Sequence, residues 1–111
     1  MAEPRLTTGL WVSAYRRRLD LLNIPAFVTR KGDETAGAVL VKLSTLDGVA
    51  KAFHRTYNLD TGARIWDILA LGLEAEVDEA IDRQRTFDPD LWVIEVEDRA
   101  GRHLLGEEGL D

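Results

Sequence analysis

Residues 38–45 read AVLVKLST, an apolar stretch broken by one lysine. A strand with one wet face alternates apolar and polar residues, whereas consecutive apolar residues mean cover on both faces. The stretch therefore predicts a central strand, and a central strand dictates that others flank it. Lys42 falls on the same face as Leu40. A buried ammonium is costly unless paired, so a carboxylate on a neighbouring strand, Glu95 or Glu97, is its expected partner.

The remaining elements follow from periodicity and breakers. Trp11, Tyr15, Leu19 and Leu22 share a stripe at helical spacing, with Val12 beside it and Arg16, Arg17 and Asp20 opposite. This predicts an amphipathic helix over about 8–23, entered through Thr7 or Thr8 and closed by Asn23 and Pro25. AFVTRK (26–31) reads as a short strand and KGDETAG as a turn, so that 26–45 forms a hairpin. VAKAFHRTY (49–57) is a third strand. ARIWDILAL (63–71) is open between strand and helix, with β-branched and aromatic residues between Gly62 and Gly72 favouring strand. A second helix is predicted over about 74–86. Its acids lie in the first turns and its arginines in the last, which complements the helix dipole. LWVIEVED (91–98) is a final strand. The acidic segment 98–111 reads as a loosely ordered tail, starting with a short strand at 103–105. The order predicts one α+β domain spanning 1–111, with a mainly antiparallel sheet of four to five strands and two helices.

Charge is unevenly spread. Residues 1–59 carry nine Lys and Arg against five Asp and Glu, while residues 60–111 carry five against fifteen, within a net charge of −6. The halves are expected to attract each other, within the fold or across a dimer, and a net acidic chain makes nucleic acid an unfavourable partner. No apolar run has the ~20 residues of a membrane span, and the N-terminus carries no signal-peptide pattern. With no cysteine, the chain has no disulfide and no thiolate chemistry, so a cytoplasmic location is expected.

Few residues suggest chemistry. Asp33 before a strand that ends near Lys42 resembles part of an acid…acid-x-Lys nuclease site. The triplet here is Leu40-Val41-Lys42, so the second carboxylate is missing, and Asp33 as a turn cap explains the segment better. Asp88, Asp90, Glu95, Glu97 and Asp98 form the densest acid cluster, without calcium-loop spacing. His54 and His103 lie on separate elements, and no phosphate-loop or nucleophile-elbow motif occurs. No catalytic residue, metal ligand or cofactor is assigned. Arg18, on the edge of the apolar stripe, together with Arg30 and Lys31, is the candidate set for binding an anion. Trp66 and Trp92 are the candidate interface anchors, since tryptophan is a frequent hot spot, with core packing the favoured role for each.

The strings LWVSAYRRRLDLL, RKGDETAGAVLVKL and FDPDLWVIEVEDRAGR resemble an uncharacterised family of small bacterial proteins, domain of unknown function 1491. The resemblance runs from about Leu6 to Leu105 and implies a small α+β unit in the bacterial cytoplasm. It implies no activity. The leading expectation is therefore a small cytoplasmic protein-interaction module without catalysis, with a homodimer or an unknown protein as partner. The alternative is a small-ligand or anion-binding protein or enzyme using Arg18, Arg30 and Lys31. A metal-dependent nuclease-like fold lacking a complete site is the remote third.

Overall fold

The computed structural model describes residues 6–110. The order is α1 (Thr8–Leu21), β1 (Ala26–Arg30), β2 (Val39–Ser44), β3 (Val49–Tyr57), β4 (Arg64–Leu73), α2 (Glu74–Phe87) and β5 (Trp92–Glu97). The strands form one sheet in the order β1-β5-β2-β3-β4. Every neighbouring pair is antiparallel except β2 and β5, which run parallel. This is the expected α+β architecture, with 64–73 a strand. Among the described residues no helix is long and apolar enough to cross a membrane. The N-terminal pentapeptide, on which the reading of no signal peptide rests, and Asp111 lie outside the described residues.

The apolar run behaves as its pattern demands. All six residues of β2 are buried. On one face Val39, Val41 and Leu43 join Ile94 and Val96 of β5 under Trp11, Val12, Tyr15 and Leu19 of α1. On the other, Leu40, Ala50, Ala52 and Val93 pack under Val77 and Ile81 of α2. α1 ends a turn earlier on its apolar side than expected, and Leu22 at its C-cap is exposed. Asn23 follows in the left-handed region at φ 58°, and the Ile24 N–H donates to the Leu19 carbonyl at 2.9 Å, closing the helix.

Segment 26–45 is not a hairpin. β5 lies between β1 and β2. The reason is burial: Trp92, Val93, Ile94 and Val96 are all buried, and only a position inside the sheet covers both faces of such a strand. The 31–38 connection spans the gap and is fastened to the start of β5. The Asp33 N–H donates to the Asp90 carbonyl (3.0 Å), the Trp92 N–H to the Ala38 carbonyl (2.9 Å) and the Trp92 indole N–H to the Asp33 carbonyl (2.7 Å). The Asp33 carboxylate caps the turn by accepting from the Ala36 N–H at 2.8 Å. The same loop serves α1. Its Glu34 and Thr35 carbonyls accept from the Gly9 and Thr8 N–H groups, two of the donors that a helix start leaves open. Gly32 and Gly37 are needed for closeness, because a Cβ on either would collide with the Asp90 carbonyl.

The tail is a second correction. Residues 98–110 are not loose, and 103–105 is not a strand. Leu105 and Leu110 are 0% and 1% exposed and belong to the core under α1. The His103 ring packs on Phe53 at 4.6 Å, and its Nδ1 accepts from the Leu105 N–H at 3.1 Å. Burial, helped by the Lys51 charge, lowers the His103 pKa from its usual range.

Gly32→Ala should destabilise the fold by about 1–3 kcal/mol, because the loop must retreat from β5. The check is a lower urea midpoint at an unchanged slope. A variant as stable as the native chain would mean that the close approach of loop and strand is not required.

Candidate functional site

Lys42 sits on the α2 side of the sheet, with its side chain 9% exposed. Its Nζ lies 2.8 Å from Asp78, 2.9 Å from Glu74 and 3.0 Å from Glu95. Glu95 is the expected cross-strand neighbour, in parallel register with Lys42. Glu74 and Asp78 were not anticipated. They are four apart at the start of α2 and so share a helix face, which is the signal that could have found them. Burial alone would lower the ammonium pKa, but hydrogen bonds to Asp78, Glu74 and Glu95 outweigh it and the pKa is raised. This cluster holds α2 on the sheet. Its carboxylates converge on an ammonium, and Asp33, capping its own turn, is not among them. Among the described residues no group of His, Cys, Asp and Glu is arranged to hold a metal ion.

The anion candidates occupy three different places. The Arg18 guanidinium donates to the Glu108 carbonyl at 2.8 Å and lies 3.7 Å from the Glu107 carboxylate, so it binds the tail. Arg30 lines a shallow groove beside Lys42, Asp78 and Glu95. Lys31 makes an exposed ion pair with Glu34 at 3.6 Å. The tryptophan candidates divide as well. Trp92 is 4% exposed and its indole N–H is satisfied by the loop, so it is a core residue. Trp66 packs on the core from β4, and its indole N–H donates to the Leu110 carbonyl at 3.1 Å.

A cleft of about 820 Å³ opens where β2 begins, lined among others by Thr7, Thr8, Trp11, His54, Arg55 and Arg64. The Arg55 guanidinium lies over the Trp11 and Trp66 rings at 4.8 and 4.7 Å. The start of α1 adds its positive dipole end to these cations.

An open apolar surface lies elsewhere. On β3 and β4, Val49 pairs with Leu73, Lys51 with Leu71 and Phe53 with Ile68, so these side chains lie side by side on the α1 face of the sheet. Neither α1 nor the tail reaches the far end of this face, and beyond Trp66 no residue of β4 joins the core on that side. Val49, Ile68, Leu71 and Leu73 are therefore 40%, 43%, 62% and 60% exposed. Single exposed apolar residues are ordinary, but adjoining ones mark a contact surface. β4 is also an edge of the sheet. It is ten residues long and contains neither proline nor lysine, and its pairing with β3 shifts register once, at a bulge beside Leu69. The opposite edge, β1, has five residues and an irregular register.

Comparison with known proteins agrees with this architecture. A family model described as "Protein of unknown function (DUF1491)" matches residues 6–106. The crystal structure of a DUF1491 family protein from Caulobacter crescentus is 43% identical, with a TM-score of 0.83, covering 93% of this chain and 97% of that one. An NMR structure of a DUF1491 family protein from the same organism is 42% identical, with a TM-score of 0.80 and coverage of 95% and 96%. The solution structure of protein Atu0922 from A. tumefaciens is 31% identical, with a TM-score of 0.71 and coverage of 85% and 86%. No curated protein matches the chain.

Lys42→Met should cost about 2–4 kcal/mol. Three carboxylates lose their shared cation, and their partial exposure keeps the loss at the low end for a broken buried pair. The raised pKa fixes the sign with pH. The Lys42 contribution is complete below the unfolded value of about 10.5 and falls as pH rises from there toward the folded value. The gap in urea midpoint between native chain and variant should be constant near neutrality and narrow above that pH. A gap that does not narrow would show that the ion cluster is not its origin.

Proposed function

The chain belongs to the DUF1491 family, a family of unknown function, and from that premise we propose that it is a protein-interaction module whose contact surface is the β4 edge and whose occupant is a second copy of the chain. The observation that carries this reading is the adjoining exposed set Val49, Ile68, Leu71 and Leu73 on a long edge strand. An edge strand offers unpaired N–H and C=O groups along its length, and another strand satisfies them best. With a two-fold axis between Leu69 and Ala70, at the bulge, Ile68 faces Leu71 of the other copy and Asp67 faces Gly72, so no like charges oppose each other. The module reading assigns no chemistry to the chain. A cytoplasmic site of action belongs to the same proposal, supported by a cysteine-free sequence that needs no oxidising compartment.

The charge asymmetry does not enter this reading, because the fold already uses it. Arg18 with Glu107, and Lys42 with Glu74, Asp78 and Glu95, join the basic half to the acidic half within one chain. A dimer built on the apolar patch is accordingly insensitive to salt, whereas one built on charge loosens.

Light scattering from micromolar to millimolar concentration should show a dimer that persists in high salt, and Leu71→Lys should be a folded monomer throughout. A native chain that remains monomeric at about 1 mM would overturn the second-copy reading. The reading as a small-anion binder is supported by the cleft with Arg55 and Arg64 rather than by Arg18, Arg30 and Lys31. Inorganic phosphate and citrate at millimolar concentration should raise the melting temperature if that cleft is a binding site, and an unchanged temperature would remove it.

A further inference from the structure

The tail is held in an unusual manner for a core segment. Between His103 and Leu110 it forms neither strand nor helix and pairs with no strand. Four side chains of α1, β3 and β4 reach its main-chain carbonyls instead. The Tyr15 hydroxyl donates to His103 O at 2.7 Å and Arg18 to Glu108 O at 2.8 Å. Arg55 donates to Leu110 O at 3.2 Å, and the Trp66 indole N–H to the same oxygen at 3.1 Å. Only two tail side chains are sunk completely, Leu105 and Leu110, five residues apart. Between them the chain turns at the surface, where Glu107 lies near Arg18.

This is how a protein holds a bound peptide: carbonyls are gripped whatever the sequence, and a few pockets select side chains. We infer that the trough between α1 and the β3–β4 end of the sheet is a peptide-binding groove, with residues 103–110 as an exchangeable strap lying in it. The partner it fits is a short protein segment with two leucines five apart and acidic residues between them. The groove supplies the matching chemistry: two apolar pockets, a row of carbonyl donors, and Arg18 at the acidic stretch. The Arg55 guanidinium, stacked on Trp11 and Trp66, is a rigid donor already in place for the incoming carbonyl.

Exchange is feasible because few groups hold the strap. Two buried leucines, Leu104 at the edge of the core, the His103 ring on Phe53 and four hydrogen bonds stand against the ordering of eight residues. The strap's tether is the 98–102 turn, where Arg102 closes on Asp98 at 2.7, 3.0 and 3.1 Å and the Asp98 N–H donates to the Ser44 carbonyl of β2 at 3.0 Å, so the strap opens beyond Asp98. Opening it leaves the α2 side of the sheet intact, since no tail residue belongs to that core cluster. This surface is distinct from the exposed β4 patch, and the two readings stand or fall separately.

Hydrogen exchange on the native chain is the first test. The Glu107 and Leu110 amides, which donate to Leu104 O and Glu107 O, should exchange about 100-fold faster or more than those of β2 and β5, as a unit of their own. The second test adds the synthetic peptide RHLLGEEGLD, the sequence of residues 102–111, to isotope-labelled full-length protein. It should saturably shift the Trp66 indole and Tyr15 signals, at least about tenfold more tightly in Leu110→Ser, where the strap competes less. The same peptide with serine at both leucines should not bind. Tail amides that exchange together with β2 and β5 would make the tail an ordinary part of the core and overturn the inference. So would separate opening without peptide binding at about 1 mM. A dimer of Leu71→Lys that exchanges tails between copies would overturn the partner segment as occupant.

Discussion

Burying Lys42 at the centre of the sheet commits the chain to bring carboxylates to it. One comes from β5 in register, which requires β5 beside β2. Two come from the first turn and a half of α2, which requires the β4–α2 junction to turn back over the sheet. A single ammonium thus ties together three elements separated by up to 53 positions in sequence, Lys42 to Glu95. Replacing the lysine and all three carboxylates by apolar residues would pack as well, but it would not select among ways of laying α2 on the sheet. The cluster fixes the α2 side, so α1 and the tail are left to close the other.

Much of this was legible in local pattern. The both-face burial of β2, the α1 stripe, the charge gradient of α2 and the strand character of β5 follow from periodicity and propensity, which act between near neighbours, and 63–71 leans to strand on the same grounds. What was not legible depends on contacts far apart in sequence. The insertion of β5 between β1 and β2 is decided by which strand gains most from burial on both faces, and no feature of residues 26–45 records that competition. Asp33 illustrates the divide: its role as a turn cap is local and was readable, while its carbonyl's bond to Trp92 was not.

The tail was misread for the same reason. HLLGEEGLD is short, acidic and aperiodic, and those features describe a solvated end. Its two leucines five apart fit no helix face and no strand face. They become intelligible only beside Tyr15, Arg55 and Trp66, which lie 90, 50 and 39 positions before Leu105. Arg18 shows what a side chain on the edge of an apolar stripe does here. It does not sink unpaired but fastens the tail's carbonyl and carboxylate.

The α1 face of the sheet is wider than one helix can cover, and the chain finishes it in two ways. α1 covers β1, β5 and β2. The tail extends that cover over Phe53 and Trp66, held by side-chain donors rather than by strand pairing. The strip from Val49 to Leu73 is covered by neither. A chain selected only for solubility would place polar residues at Leu71 and Leu73, whose side chains contribute to no core cluster, and would lose no packing by doing so. The tail and the strip thus divide one deficit of cover: the first part is filled by the chain's own residues, and the second stays open along the β4 edge.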